Sequence, residues 1–95
     1  MHVISRKALV AFASTHPDAE TPLDVWYRAA KSAQWRNLAD VRRVYPHADI
    51  VGPYTVFNIK GNRYRLVTEI NYRGQTIFVR QALTHAEYDK GKWKL

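Results

Sequence analysis

The sequence predicts an α+β fold: a short N-terminal strand and two to three helices packed on a twisted antiparallel sheet, followed by a short C-terminal helix. Three observations carry this reading. Apolar residues recur at helical spacing in the first half, most regularly Leu23, Trp26, Tyr27, Ala30 and Ala33. From Asp49 the period changes to two, with Gly52-Pro53, Gly61-Asn62 and Arg73-Gly74 separating three longer runs. At 95 residues and 46% hydrophobic content, the chain can bury one modest core, so residues 1–95 read as a single domain.

Taken in order, His2 to Ile4 reads as a strand, and Ser5 is placed to cap a helix from Arg6 to about Thr15, with Leu9 and Phe12 on its inner side. His16-Pro17-Asp18 ends that helix. Thr21, with Pro22 at the first helical position and Asp24 three residues on, caps the second. Asn37 with Asp40 repeats the capping pattern for a short third helix, whose Leu38, Val41 and Val44 or Tyr45 turn inward before Pro46. After Ile50-Val51 come strands Tyr54 to Lys60, Arg63 to Tyr72 and Gln75 to Leu83, tightly joined as a meander. The middle strand puts Tyr64, Leu66, Thr68, Ile70 and Tyr72 on one face. Arg63, Arg65, Val67, Glu69 and Asn71 fall on the other. The helices are expected on the apolar face, leaving a basic face open.

A formal net charge of +7 calls for an anionic partner. The excess is uneven: residues 1–53 hold seven cations against five carboxylates, residues 54–95 eight against three, so the working face is expected in the second half. With no cysteine, disulfides, thiol nucleophiles and cysteine zinc sites are excluded, and a cytoplasmic setting is expected. Met1 to Lys7 lacks the apolar core of a signal peptide, and no run reaches membrane-spanning length, so no membrane partner is expected.

RNA cleavage without a metal needs a group to take the 2′-hydroxyl proton, cations to stabilise the phosphorane-like transition state, and an acid for the leaving 5′-oxygen. Thr84-His85-Ala86-Glu87-Tyr88-Asp89-Lys90 has titratable groups for this, and Thr84 with Glu87 has capping-box spacing. His85 would then sit in the first turn of a terminal helix, where the dipole favours a neutral imidazole or a bound phosphate. Tyr88, three residues on, shares its side and could orient a phosphate, serve as a weak acid or simply pack. Arg65 and Arg80, on neighbouring strands, are candidate phosphate forks or plain surface charges. Lys60, Arg63, Arg73, Lys90, Lys92 and Lys94 are candidates for backbone contact with RNA, and Asn62 and Asp89 for support of the site. Lone His2, His16 and His47 offer no metal-ligand spacing, so neither metal nor other cofactor is expected. Trp26 reads as core, and Trp93 either stacks on a base or docks on the sheet.

Val56-Phe57-Asn58-Ile59, Gly61-Asn62-x-Tyr64-Arg65-Leu66-Val67, Ile77-Phe78-Val79-Arg80 and Thr84 to Lys90, in that order and spacing, resemble the HigB-type toxins of the RelE-like superfamily. Ile4 to Leu9, His16-Pro17-Asp18-Ala19 and Trp26-Tyr27 extend the resemblance over nearly the whole chain. It implies a RelE-like fold and an mRNA endoribonuclease of a type II toxin–antitoxin system, usually acting on the translating ribosome. A HigA-type antitoxin with a helix-turn-helix domain would hold it inactive, so DNA would be touched only through that partner. Without the resemblance, a non-catalytic RNA-binding module or a basic protein-interaction subunit satisfies the same charge pattern.

Overall fold

The computed structural model describes residues 1–94; Leu95, the end of the expected domain, lies outside the described residues. Strand β1 (His2–Ile4) leads into α1 (Arg6–Thr15), a 3₁₀ turn (Pro17–Ala19), α2 (Glu20–Ser32) and α3 (Leu38–Val44). Strands β2 (Asp49–Val51), β3 (Tyr54–Ile59), β4 (Tyr64–Asn71) and β5 (Thr76–Thr84) follow, then α4 (His85–Lys90) and a 3₁₀ turn (Lys92–Lys94). This is the α+β arrangement the periodicities predict, and no helix of the described residues is long and apolar enough to cross a membrane.

The five strands form one sheet in the order β1-β5-β4-β3-β2. β2 to β5 are the expected antiparallel meander, but β1 pairs parallel with β5, setting Val3 beside Ile77, so the sheet is mixed. Parallel pairing requires a long crossover, which the helical half of the chain supplies.

Local signals explain most element ends. Asn37 Oδ1 accepts the Asp40 amide at 2.9 Å and caps α3. Ser5 stands at the N-cap of α1 with extended backbone but makes no side-chain cap bond. Thr21 is not a cap: the Pro17 turn winds directly into α2, which begins at Glu20 and leaves Pro22 in the first turn, where its missing N–H costs nothing. Of the two inward candidates at the end of α3, Tyr45 packs on the core and Val44 lies 54% exposed.

The main core lies between helices and sheet and centres on Phe57, which is fully buried. Its ring meets Trp26 edge-on at 5.4 Å, Tyr45 edge-on at 5.4 Å and Trp35 stacked at 6.2 Å. Such pairs add directional attraction to a large buried apolar area. Leu23, Trp26 and Ala30 form the buried stripe of α2, and Leu66 and Ile77 bring in β4 and β5.

The opposite face of the sheet is not wholly open. Val56 and Val67 are buried there beneath Trp93, with Val51, Tyr54, Leu83 and Tyr88 packed around them. Gly91, in the left-handed region at φ 73°, ends α4 and lets the chain turn back over the sheet. Lys92 and Lys94 therefore flank a docked tryptophan and are not a frayed tail.

Trp26→Ala is expected to remove about 3–5 kcal/mol of stability, because truncation leaves a cavity in the aromatic cluster. A melting curve matching the parent would contradict the packing of α2 on Phe57.

Candidate active site

The site forms where β4 begins and β5 ends. Tyr64 pairs with Thr84 across the ladder, so the 60–63 turn before β4 lies against the start of α4. Lys60 and Gly61 take positive φ in that turn, 52° and 62°, a conformation glycine adopts without steric cost. Thr84 and Glu87 make the predicted capping box: Thr84 Oγ1 accepts the Glu87 amide at 3.2 Å, and Glu87 Oε1 accepts the Thr84 amide at 2.9 Å. The His85 amide donates to the Arg63 carbonyl at 3.0 Å, tying the first residue of α4 to the turn.

These restraints hold the His85 ring between two acceptors. Nδ1 lies 3.0 Å from the Asn62 carbonyl oxygen, and Nε2 lies 2.9 Å from Asp89 Oδ2. A carbonyl and a carboxylate both require a donor, so the ring satisfies the two contacts together only when both nitrogens carry hydrogen. Asp89 is one helical turn beyond His85 and is thereby its direct partner.

Arg65 completes the cluster. Its Nη1 donates to the carbonyls of Asn62 at 3.1 Å and Tyr64 at 3.2 Å, its Nη2 donates to Asn62 Oδ1, and Nη2 lies 3.4 Å from His85 Nδ1. The guanidinium also sits over the Tyr88 ring, 5.4 Å from its centroid. All the acceptors that hold Arg65 are neutral, and it has no carboxylate partner among the described residues. Trp93 stacks on the same Tyr88 ring at 5.0 Å. Burial first, then the charge of Asp49, pushes the Tyr88 phenol pKa up against the opposing pull of Arg65, which makes it a poorer proton donor.

Other predicted residues lie elsewhere or are differently engaged. Arg80 is on β5 three residues before Leu83, the partner of Arg65, a spacing of about 10 Å at the strand rise. It is paired with Glu69 at 3.0 Å and lies over Phe78, so Arg65 and Arg80 are not brought together at His85. Lys60 and Arg63 are both paired with Asp18, at 3.1 and 3.5 Å. Arg73 is in the turn at the opposite end of β4 and β5. Lys90, Lys92 and Lys94 are exposed just beyond the site. Among the described residues, no group of three or more His, Asp or Glu side chains is placed to hold a metal.

Sequence reasoning missed Asp18. From the 3₁₀ turn it accepts the Tyr64 hydroxyl and the Lys60 ammonium, and these contacts, with Arg63, hold its carboxyl below the usual range. It thus pins both ends of the turn that carries Asn62. His16 was missed as well; it stacks on Phe12 at 4.3 Å and meets Tyr64 edge-on at 5.4 Å. Local spacing gave no signal for either, because the contacts with β4 reach across more than forty residues of chain. A cleft of about 390 Å³ between α1 and α2, lined by Leu9, Val10 and Tyr27 among others, is remote from His85. The His85 cluster instead lies on an open surface, which suits a long polymer better than an enclosed small molecule.

The capping box has a pH consequence. The Thr84 amide, ahead of the Thr84 hydroxyl, holds the Glu87 carboxyl below its ordinary value of 4.5. A depressed folded value means that Glu87 supports α4 fully above the unfolded value and loses that effect as pH falls through the folded one. The protection of the α4 amides relative to their intrinsic exchange rates is therefore expected to fall below about pH 4.5, before the main core opens. Glu87→Ala should already exchange rapidly at neutral pH, and unchanged protection in that variant would contradict the role of the box.

Comparison with known proteins agrees with this architecture. Residues 19–91 match the family described as the HigB toxin, RelE-like toxic component of a toxin-antitoxin system. The mRNA interferase toxin HigB of Escherichia coli strain K12 is 29% identical over 92 residues, covering 94% of this chain and 88% of that protein. The mRNA interferase HigB of Shigella flexneri matches over the same shares, again at 29% identity. The chain therefore belongs to the HigB toxin family of RelE-like toxic components.

Proposed function

We propose that this protein is an mRNA endoribonuclease, the toxin of a type II toxin–antitoxin system, which cleaves by metal-independent proton transfer at His85 beside the Arg65 cation. The observation that carries the proposal is the His85 ring held between Asn62 and Asp89 at 3.0 and 2.9 Å, next to a guanidinium with only neutral acceptors. The related proteins named mRNA interferase support the substrate class.

In the reaction, the RNA 2′-oxygen bonds to phosphorus as its proton leaves, and the bond from phosphorus to the 5′-oxygen breaks as that oxygen gains a proton. Cyclic phosphate and a free 5′-hydroxyl result. His85 is placed to move a proton, with Asp89 orienting the imidazole and balancing its charge. Arg65 faces the charge that builds on the phosphoryl oxygens, and its fixed orientation limits reorganisation. Tyr88 aligns Arg65 through its ring. Lys90, Lys92 and Lys94 would hold the RNA backbone beside the site, whereas Lys60, Arg63 and Arg80 contribute less because each already faces an acid.

This is a sparse set of catalytic groups on an open surface, so external alignment of the RNA would matter. A ribosome holding the message supplies such alignment. The proposed control partner is a HigA-type antitoxin with a helix-turn-helix domain, attracted by the net charge of +7.

His85→Ala is expected to slow cleavage by about 10²–10⁴-fold and relieve growth arrest while melting like the parent. A folded variant that remains fully toxic would overturn the assignment. Arg65→Lys keeps the charge but loses the planar fork, so cleavage should fall more than RNA affinity. Arg80→Lys should have the smaller effect. Equal losses of cleavage and affinity at Arg65 would instead favour a non-catalytic RNA-binding module.

On free RNA, cleavage of mRNA is expected to survive a chelator, and in magnesium buffer it is expected to be faster with ribosomes than on free RNA. Loss on chelation with recovery on adding one metal would exclude the proposed chemistry, and equal rates with and without ribosomes would remove the alignment argument. Co-expression of a neighbouring helix-turn-helix protein should restore growth and yield a complex whose association slows as salt rises.

A further inference from the structure

Trp93 is chemically remote from any proton-transfer step, yet it lies at the base of the catalytic cluster. Its indole is 7% exposed, buried on the outer face of the sheet against Val56 and Val67. Nε1 donates to the Tyr88 carbonyl at 2.9 Å, the ring stacks on Tyr88 at 5.0 Å with an interplanar angle of 17°, and Tyr54 meets it edge-on at 5.7 Å. The Tyr88 ring in turn carries the Arg65 guanidinium. A continuous chain of contacts therefore runs from the sheet through Trp93 and Tyr88 to Arg65, and Tyr88 shares its short helix with His85 and Asp89.

α4 needs such a support. It spans six residues, contains no fully buried side chain, and cannot hold its orientation by its own hydrogen bonds. The capping box fixes where it starts and Trp93 fixes how its far end lies on the sheet.

We propose that Trp93 is a positioning residue, which aligns His85 and Arg65 through Tyr88 and makes the 92–94 turn part of the catalytic apparatus. The proposal rests on His85 and Arg65 being the reacting groups. It predicts that the flat ring of Trp93 matters beyond the volume it fills, since only a ring can stack on Tyr88. Phenylalanine preserves that stack and loses only the Nε1 hydrogen bond to the Tyr88 carbonyl, an acceptor the Gly91 amide also serves, while leucine preserves an apolar filler and loses the stack.

The test compares Trp93→Phe and Trp93→Leu in the full chain by three readings: mRNA cleavage on programmed ribosomes, thermal melting, and the nuclear magnetic resonance signal of the His85 ring. Trp93→Leu should lower the maximal cleavage rate by about tenfold or more with little change in KM, as small misplacements of reacting groups do. It should also shift the His85 ring signal while leaving those of His2 and His47 in place. Trp93→Phe should stay close to the parent in both readings. Parent-like cleavage by Trp93→Leu, a lost rate with an unmoved His85 signal, or a moved signal with an unchanged rate would each overturn the proposal. So would equal behaviour of the two variants, if both fold. Should Trp93→Leu fail to fold, Tyr88→Leu breaks the same stack from its middle, and an unshifted His85 signal there would overturn the proposal equally. Full activity of His85→Ala would defeat the catalytic reading itself, whereas an inactive His85→Ala beside a parent-like Trp93→Leu would defeat only the role of Trp93.

Discussion

The register of β4 against β5 is the constraint on which the site depends. Tyr64 opposite Thr84 and Arg65 opposite Leu83 decide that the Asn62 turn faces the first residue of α4. A one-residue slip would send each side chain of one strand to the other face of the sheet. The register is itself irregular: Val67 pairs with Gln81 and Thr68 with Val79, so Arg80 is the extra residue of a bulge. The bulge shifts the phase of β5. Val79 and Ala82 both reach the helix-side core, and Leu83 reaches the outer cluster beside Trp93. Bulges redirect side chains in this way near functional surfaces. Here the extra residue is taken up at Arg80, and the end of β5 is set to launch α4 across the outer face.

Two clusters of unequal size follow from that geometry. The larger one, around Phe57, gathers residues from the helices and the sheet and supplies most of the burial. The smaller one contains three buried residues, Val56, Val67 and Trp93, and lies directly beneath the catalytic candidates. The site is thus supported by a modest patch with its own packing, and a change there can disturb α4 while the main core stays intact. Local stability of this uneven kind is common where a short element carries function.

Much of the fold was legible in the sequence because its signals are local. The α2 stripe, the Asn37 cap, the capping box at Thr84 and the turns at Gly52, Gly61 and Gly74 are each set by residues within a few positions of one another. The parallel pairing of β1 was not legible, since its partner strand lies more than seventy residues away. The sequence pattern did place Arg65 and Val67 on the face away from the helices, whereas Arg63 falls in the turn before β4 and pairs with Asp18; alternation does not say what else covers a face, and here Trp93 covers part of it. At the site, His85, Tyr88 and Asp89 share a helical side that spacing reveals, whereas the Asn62 carbonyl and the Asp18 clamp arise from tertiary contacts with no local signature. Arg80 illustrates the opposite failure: its strand was readable, but the bulge and the Glu69 partner that separate it from Arg65 were not.

The arrangement of charge is the last consequence of the fold. Exposed ion pairs add little to stability, so the pairs of Lys60 and Arg63 with Asp18 and of Arg80 with Glu69 matter more for where positive potential remains. They mute cations along the flanks of β4 and β5. Arg65, Lys90, Lys92 and Lys94 have no carboxylate partner among the described residues, and all four lie at the α4 end of the sheet. Asp89 tempers that potential next to His85, at 2.9 Å from its ring. Unpaired cations thus remain at the end of the sheet where the histidine stands, as they also do at Lys7, Lys31, Arg43 and Arg73 elsewhere among the described residues, so the field that would meet a polyanion combines this local group with the net charge of +7. The same end is supported from below by Trp93, so that the lysines beyond α4 and the stack beneath the His85 cluster belong to one short segment of chain.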